Sequence, residues 1–81
     1  MGVIRGEGMI FSRKDATLED VRPLQIHGSM YFDIVYRYRE PADSRAENAR
    51  IGAEMIYPNA QPGDVVMVEK VANTVMRVER L

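Results

Sequence analysis

The stretch Ser29-Met30-Tyr31-Phe32-Asp33-Ile34-Val35-Tyr36-Arg37-Tyr38-Arg39-Glu40 alternates, residue by residue, between two kinds of side chain. The apolar parity contains Met30, Phe32, Ile34, Tyr36 and Tyr38. The mixed parity contains Tyr31, Asp33, Val35, Arg37 and Arg39. Because successive side chains point to opposite faces of a β-strand, the pattern predicts one long strand with an apolar face and a tyrosine and arginine face. The chain is therefore expected to be mainly β.

The length and composition predict a single small domain, residues 1–81, with few ways to reinforce its core. A chain of this size buries only about 60–65% of its unfolded surface, and small domains often add disulfides, metals or oligomerisation. The sequence has no cysteine and one histidine, so neither a disulfide nor a metal site is expected, and no cofactor is predicted. The remaining ways to stabilise so small a core are self-association or burial in a larger complex. A well-packed monomer is the alternative.

The charge balance argues against two classes of partner. A net charge of −1 disfavours nucleic acid, whose binders normally carry a basic excess, and disfavours a polybasic membrane anchor. No apolar run approaches the ~20 residues of a membrane span, and the N-terminus lacks a secretory pattern, so a cytoplasmic protein is expected. Arginine outnumbers lysine nine to two, which suits protein interfaces, although a codon bias explains the same excess more simply.

The N-terminal third is predicted to contain a strand and a short helix. Val3–Ser12 has a strand-like pattern, and Arg13-Lys14-Asp15 is expected to be a polar break. Residues 16–24 are predicted to form a short helix, capped by Thr17 and stopped by Pro23. A short strand at 24–26 and a break at His27-Gly28 then precede the long strand.

Residues 44–56 allow two interpretations. Ser44 and Glu47 match a capping box, which is typical of a helix start. Gly52 in the interior of such a helix would cost about 1 kcal/mol relative to alanine, so we favour a strand. We expect it to pair with the long strand through a loop at 41–49.

The C-terminal segment is predicted to be a hairpin of Val65–Val71 and Thr74–Arg80, entered through a Pro62-Gly63 turn. A three-residue loop would set Val68 against Val78 and Glu69 against Arg77, whereas a two-residue loop would set Val68 against Arg77. We prefer the first register, in which one apolar face contains Val66, Val68, Met76 and Val78. The expected fold is about five antiparallel strands in a small barrel or strongly bent sheet, with one short helix.

Three short patterns could carry chemistry, and each has a simpler explanation. The acidic residues Asp15, Glu19 and Asp20 match no cation loop and suit a helix start. His27 has no neighbour in sequence that would orient it as a base. Gly6-Glu7-Gly8 lacks the helix that a phosphate loop requires. No catalytic residue is predicted, and an enzyme acting on its own is not expected.

The tyrosine and arginine face of the long strand is the best candidate for binding, because these residue types dominate protein interfaces. The predicted partner-binding residues are Tyr31, Arg37, Arg39, Arg50 and Arg77. The leading hypothesis is a non-catalytic protein-interaction module, a small accessory subunit of a homo-oligomer or of a larger enzyme complex. One alternative is a small barrel that binds RNA or single-stranded nucleic acid. Another is a regulatory domain that binds an anionic ligand through Arg37, Arg39 and Arg50.

Overall fold

A computed structural model describes residues 10–81 and contains one antiparallel sheet of five strands. The strands are β1 (Phe11–Ile26), β2 (Ser29–Tyr38), β3 (Ala46–Gly52), β4 (Val65–Val71) and β5 (Thr74–Arg80). Their order across the sheet is β3-β2-β1-β4-β5. The mainly β fold predicted from the sequence is confirmed. The strand predicted over Val3–Ser12 falls mostly outside the described residues, as does Gly6-Glu7-Gly8.

The sheet is open in its strand pairing but strongly bent. A flat sheet of five strands would hold its edge strands roughly 19 Å apart. Here β3 and β5, the two edges, are in contact, and Ile56 just after β3 forms an isolated parallel bridge with Val78 of β5. One turn of 3-10 helix, Ala53–Met55, makes the bend between β3 and this bridge. Of the two predicted architectures, the bent sheet describes the fold better than a closed barrel.

One face of the bent sheet forms the core. Its buried members are Ala16, Leu18, Ile34, Tyr36, Ile51, Ile56, Val66, Val68, Val75 and Val78. The apolar parity of the long strand is confirmed, since Ile34 and Tyr36 are buried and Phe32 and Tyr38 are partly buried against the core. Met30 is 41% exposed because it lies near the hairpin tip, beyond the last residue that β3 covers.

The helix predicted for residues 16–24 is wrong, as is the polar break at 13–15, because both segments belong to β1. The register shifts between Leu18 and Asp20, where a β-bulge adds one residue to the strand. Leu18 therefore pairs with Tyr36 and Val21 with Ile34, so both side chains face the core although they are three residues apart. The extra residue of the bulge gives Leu18 and Val21 the three-residue spacing that is also typical of one face of a helix. Pro23 is tolerated because β1 has no strand on its other side there, among the residues described.

The strand interpretation of the 44–56 segment is confirmed, and the rival helix is wrong. Strand β3 covers Ala46–Gly52 and pairs with β2, as predicted, but the loop is shorter than the predicted 41–49 because residues 46–49 belong to β3. The strand ends earlier than expected, since Ala53 and Met55 belong to the 3-10 turn.

The C-terminal hairpin has the predicted strand bounds and the preferred register, with Val68 opposite Val78 and Glu69 opposite Arg77. The connection differs from the prediction, because Ala72 and Asn73 alone form the turn and a bulge between Glu69 and Lys70 restores the register. Because of the bulge, Val75 and Met76 lie on the faces opposite to those predicted. Val75 is buried, whereas Met76, predicted to face the core, is 41% exposed.

The turn at His27-Gly28, predicted as a break, joins β1 to β2 through two residues. Both have positive φ, 50° and 83°, which is the requirement of a type I′ turn. A Cβ atom added at Gly28 would meet nothing within 4 Å, so any cost of a side chain there comes from the backbone alone. This turn fixes the register of the hairpin that carries the predicted binding residues.

We predict that Gly28→Ala lowers the free energy of unfolding by about 1 kcal/mol, because alanine disfavours positive φ. His27→Asn should raise it by a few tenths of a kcal/mol, roughly, since asparagine tolerates this conformation. Urea unfolding of both variants and the parent chain measures the two effects. Equal stability of the glycine and alanine forms would contradict the type I′ turn.

Candidate functional site

The structure brings together three of the five predicted binding residues. Tyr31 and Arg37 lie on the outer face of β2, opposite the core, and Arg50 lies beside them on β3, paired with Asp33. Arg39 follows the end of β2 and is exposed. Arg77 lies on β5, separated from β2 by two strands. Tyr31, Arg37 and Arg50 therefore form one surface, which Arg39 and Arg77 do not join.

The arginines of this outer face are held by carboxylates. Arg37 donates from Nε to Glu19 Oε2 at 2.7 Å and from Nη1 to the Ser44 carbonyl oxygen at 2.7 Å. Arg50 binds Asp33 through two hydrogen bonds of 2.8 and 3.1 Å. A third pair joins Arg22 and Asp20 at 2.8 Å. The three pairs cancel in charge, so this surface presents fixed polar groups without a net charge.

The ion pairs of Arg50 and Arg37 shift pKa values toward the charged form. The hydrogen bonds from Arg50 hold the pKa of Asp33 below its usual range, and the nearby Arg22 acts in the same direction. The contact with Glu19 raises the pKa of Arg37. Because the groups are exposed, such pairs contribute little to stability. Their main effect is to orient the guanidinium groups on the face.

The same face becomes apolar toward the β1–β2 turn. We define the ribbon as residues 20–35, the part of the β1–β2 hairpin nearest its turn. Leu24 pairs with Tyr31, and both side chains are partly exposed on the outer face. No acidic residue occurs between Val21 and Phe32. Because β3 reaches only Tyr31 and β4 only Thr17, the end of the ribbon extends beyond its neighbours.

An open depression of about 540 Å³ lies in the outer face. Its walls include Asp20, Arg22, Asp33, Val35, Asn48 and Arg50. Because the depression is open to solvent, it does not enclose a small molecule, which typically buries most of its own area when bound.

A second polar cluster, which the sequence did not reveal, occupies the inner face at the opposite end of β2. The carboxylate of Glu47 accepts hydrogen bonds from Tyr36 Oη at 3.1 Å and from Lys70 Nζ at 2.8 Å. Lys70 Nζ also lies 5.5 Å from the ring centre of Tyr38, and Lys14 Nζ lies 5.2 Å from it. The pairing of Tyr36 with Glu47 across β2 and β3, together with the strand order that brings Lys70 of β4 near them, assembles these groups. No local motif encodes that arrangement.

The pKa shifts in this cluster move away from neutrality. Burial raises the pKa of Tyr36. The hydrogen bond from Lys70 lowers the pKa of Glu47. Burial alone would lower the pKa of Lys70, but its contacts with Glu47 and Tyr36 outweigh burial and raise it. A general acid or base needs the opposite, a pKa moved toward the working pH, so the cluster behaves as a structural ion network.

The remaining sequence candidates do not assemble a site. His27 is exposed in its turn. The acidic residues Glu19 and Asp20 belong to β1 rather than to a helix start, and each pairs with an arginine. Within residues 10–81 no three histidine, cysteine or carboxylate groups are placed to hold a metal ion. Over the same range no helix has the length and apolarity needed to cross a membrane.

Comparison with protein-family models, with curated proteins and with solved structures gives no match for this chain.

We predict that the stabilising effect of Glu47 disappears in acid. Because its pKa is lower in the folded state, the unfolded chain binds more protons as pH falls, and stability is lost through and below the ordinary glutamate pKa of about 4.3. Glu47→Gln should be less stable than the parent near pH 7, and the difference should shrink toward pH 3, roughly.

Urea unfolding midpoints across this pH range measure the difference. Glu40→Gln is the matched control, because Glu40 is exposed and forms no ion pair among the described residues. A Glu47→Gln difference that stays constant with pH would contradict the role of the Lys70 pair.

Proposed function

We propose that this chain is a non-catalytic protein-interaction module, a small accessory subunit of a homo-oligomer or of a larger enzyme complex. One observation carries the proposal: the outer face of β1, β2 and β3 combines partly exposed Leu24 and Tyr31 with arginines already neutralised by carboxylates. Large apolar side chains beside oriented arginines are the composition of protein interface centres.

The ion pairs favour a protein partner over nucleic acid. A phosphate backbone attracts arginines and lysines that are not already neutralised, and it repels carboxylates. On this face Arg37 and Arg50 are each committed to a carboxylate at 2.7–2.8 Å. A protein partner can use both signs of charge, so the balanced pairs need not be broken.

The titration behaviour supports a role without catalysis. Every pKa shift resolved among residues 10–81 stabilises the protonation state that the group already has at neutral pH. Burial likewise raises the pKa of Tyr57, whose hydroxyl donates to Asp64 at 2.6 Å. Catalytic sites typically show the reverse pattern.

A second candidate function, binding of single-stranded nucleic acid, is favoured by a different part of the surface. Lys14 and Arg39 line an open depression of about 590 Å³ together with Arg13, Asp15 and Glu40. Neither Lys14 nor Arg39 forms an ion pair with another described residue. Binding of a mixed-sequence oligonucleotide that weakens steeply with added salt, and that Lys14→Ala with Arg39→Ala abolishes, would favour this function.

We predict that Tyr31→Ala combined with Arg37→Ala leaves the fold intact and weakens association by about tenfold or more, because both residues are of the type that dominates interface energies. The measurement is native mass spectrometry of the untagged chain purified from its own source. The expected result is a fixed stoichiometry with other subunits or with further copies of itself.

Arg45→Ala combined with Leu81→Ala is the matched control. It removes an exposed arginine and an exposed apolar side chain at sites away from the ribbon. The control should associate as the parent does. A parent chain that is purified only as a monomer, with no co-purifying subunit, would overturn the proposed function.

A further inference from the structure

The free edge of β1 is poorly suited to adding another strand. In a two-residue hairpin the residues flanking the turn, here Ile26 and Ser29, exchange hydrogen bonds, and the pattern then alternates along the strands. Pro23 and Gln25 therefore direct their backbone groups away from β2, toward the edge that carries no strand among the described residues. Pro23 has no N–H group to offer there, so this edge is blunted. We therefore expect association through the ribbon to use its faces rather than this edge.

The outer face of the ribbon is complementary to itself. Across β1 and β2, Arg22 is opposite Asp33 and Leu24 is opposite Tyr31. A two-fold axis parallel to the strands, midway between β1 and β2, would lay β1 of one copy over β2 of the other. Each Arg22 would then face the Asp33 of the second copy, and each Leu24 would face its Tyr31.

Charge selects this axis over the other simple choice. A two-fold axis running across the strands at the level of Arg22 and Asp33 would place each residue over its own equivalent, so like charges would meet. The parallel axis instead extends the existing pairs, Arg50 with Asp33 and Arg22 with Asp20, into one alternating network across both copies. Complementary charges of this kind set the register of an interface and exclude wrong arrangements.

We propose that the outer face of the ribbon binds a second copy of this chain, through Arg22, Leu24, Tyr31 and Asp33, about a two-fold axis parallel to the strands. This inference rests on the proposed function and names its partner. Face-to-face sheets pack with their strands at about 30°, so the match is closest near these four residues.

The size of the face sets the expected affinity. The ribbon is two strands wide and seven residue pairs long, which gives a footprint of roughly 230 Å² per copy. This is smaller than the ~800 Å² that each partner contributes to a standard interface. The dimer is therefore expected to be weak and rapidly reversible, to form only at high protein concentration, and to weaken with added salt.

The test is a charge exchange, measured by sedimentation velocity on the purified full chain over a range of concentrations. Arg22→Glu would set two acidic groups against each other at both symmetric positions of its dimer, and Asp33→Arg would do the same with two basic groups. Each variant alone should lose association by about 100-fold or more. An equal mixture of the two should recover it, because both contacts between unlike copies are again attractive.

Circular dichroism and thermal melts establish that each variant is folded, since Asp33→Arg also removes the partner of Arg50. Leu24→Glu, which leaves all the ion pairs in place, is a second route to the same loss. Arg45→Glu is the matched control, because this exposed arginine lies in the loop between β2 and β3, and it should leave the dimer unchanged.

The outcomes separate this inference from the proposed function. Loss in each single variant with recovery in the mixture establishes the dimer. A dimer that is insensitive to all three ribbon substitutions overturns this surface. A purified chain that stays monomeric, yet is recovered from its source with a different subunit at fixed stoichiometry, overturns the self-association and leaves the proposed function standing. A monomer with no partner overturns both.

Discussion

The β-bulge between Leu18 and Asp20 is the constraint on which the rest of the structure depends. Strand β1 has 16 residues and no strand neighbour that spans it: β4 pairs with it as far as Thr17, and β2 pairs with it from Ala16 onward. Without the bulge, the alternation that buries Ala16 and Leu18 would turn Val21 outward. With it, both halves of β1 face one core, and the added local twist helps the sheet to bend. The bend in turn brings β3 against β5 and lets Ile56 bridge to Val78.

Local alternation of side chains correctly predicted the strand segments that contain no bulge. It gave the apolar face of β2 and the strands of the C-terminal hairpin, where Val66, Val68 and Val78 are buried as expected. Prediction from alternation failed where the strands contain bulges, because one extra residue reverses the facing of every residue that follows. Leu18 and Val21 consequently resembled one face of a helix, and Met76 was expected in the core where Val75 lies.

The sequence predicted the candidate surface only in part, because side-chain alternation shows which residues of one strand share a face but not which strands are neighbours. Tyr31 and Arg37 share a face because they lie on one strand, and Arg50 joins them through the predicted pairing of β2 with β3. Arg77 could not be excluded beforehand, because the strand order places β1 and β4 between it and the others. The network of Tyr36, Glu47 and Lys70 was missed for a related reason. Its members come from three strands, and only the full register shows that they meet.

The two polar regions of the molecule have different physical characters. The inner cluster is partly buried and holds its charges for stability, with Lys70 only 16% exposed in its side chain. The outer face of the ribbon is exposed, and its ion pairs stabilise the fold little. Under the proposed function, the exposed pairs that fix arginine orientation near Leu24 and Tyr31 serve recognition rather than folding. The ribbon also carries these groups on paired strands rather than on a loop, so less ordering entropy is lost on binding.

The central claim is that the outer face of the ribbon is the contact surface of this protein. Backbone amide spectra of the isotopically labelled chain, recorded by NMR as its concentration is raised and as its co-purifying subunits are added, test the claim residue by residue. The account predicts that the shift changes concentrate in residues 20–35 and in the neighbouring part of β3. Changes confined to β4, β5 and the Lys14 and Arg39 depression, with the ribbon unaffected, would contradict it.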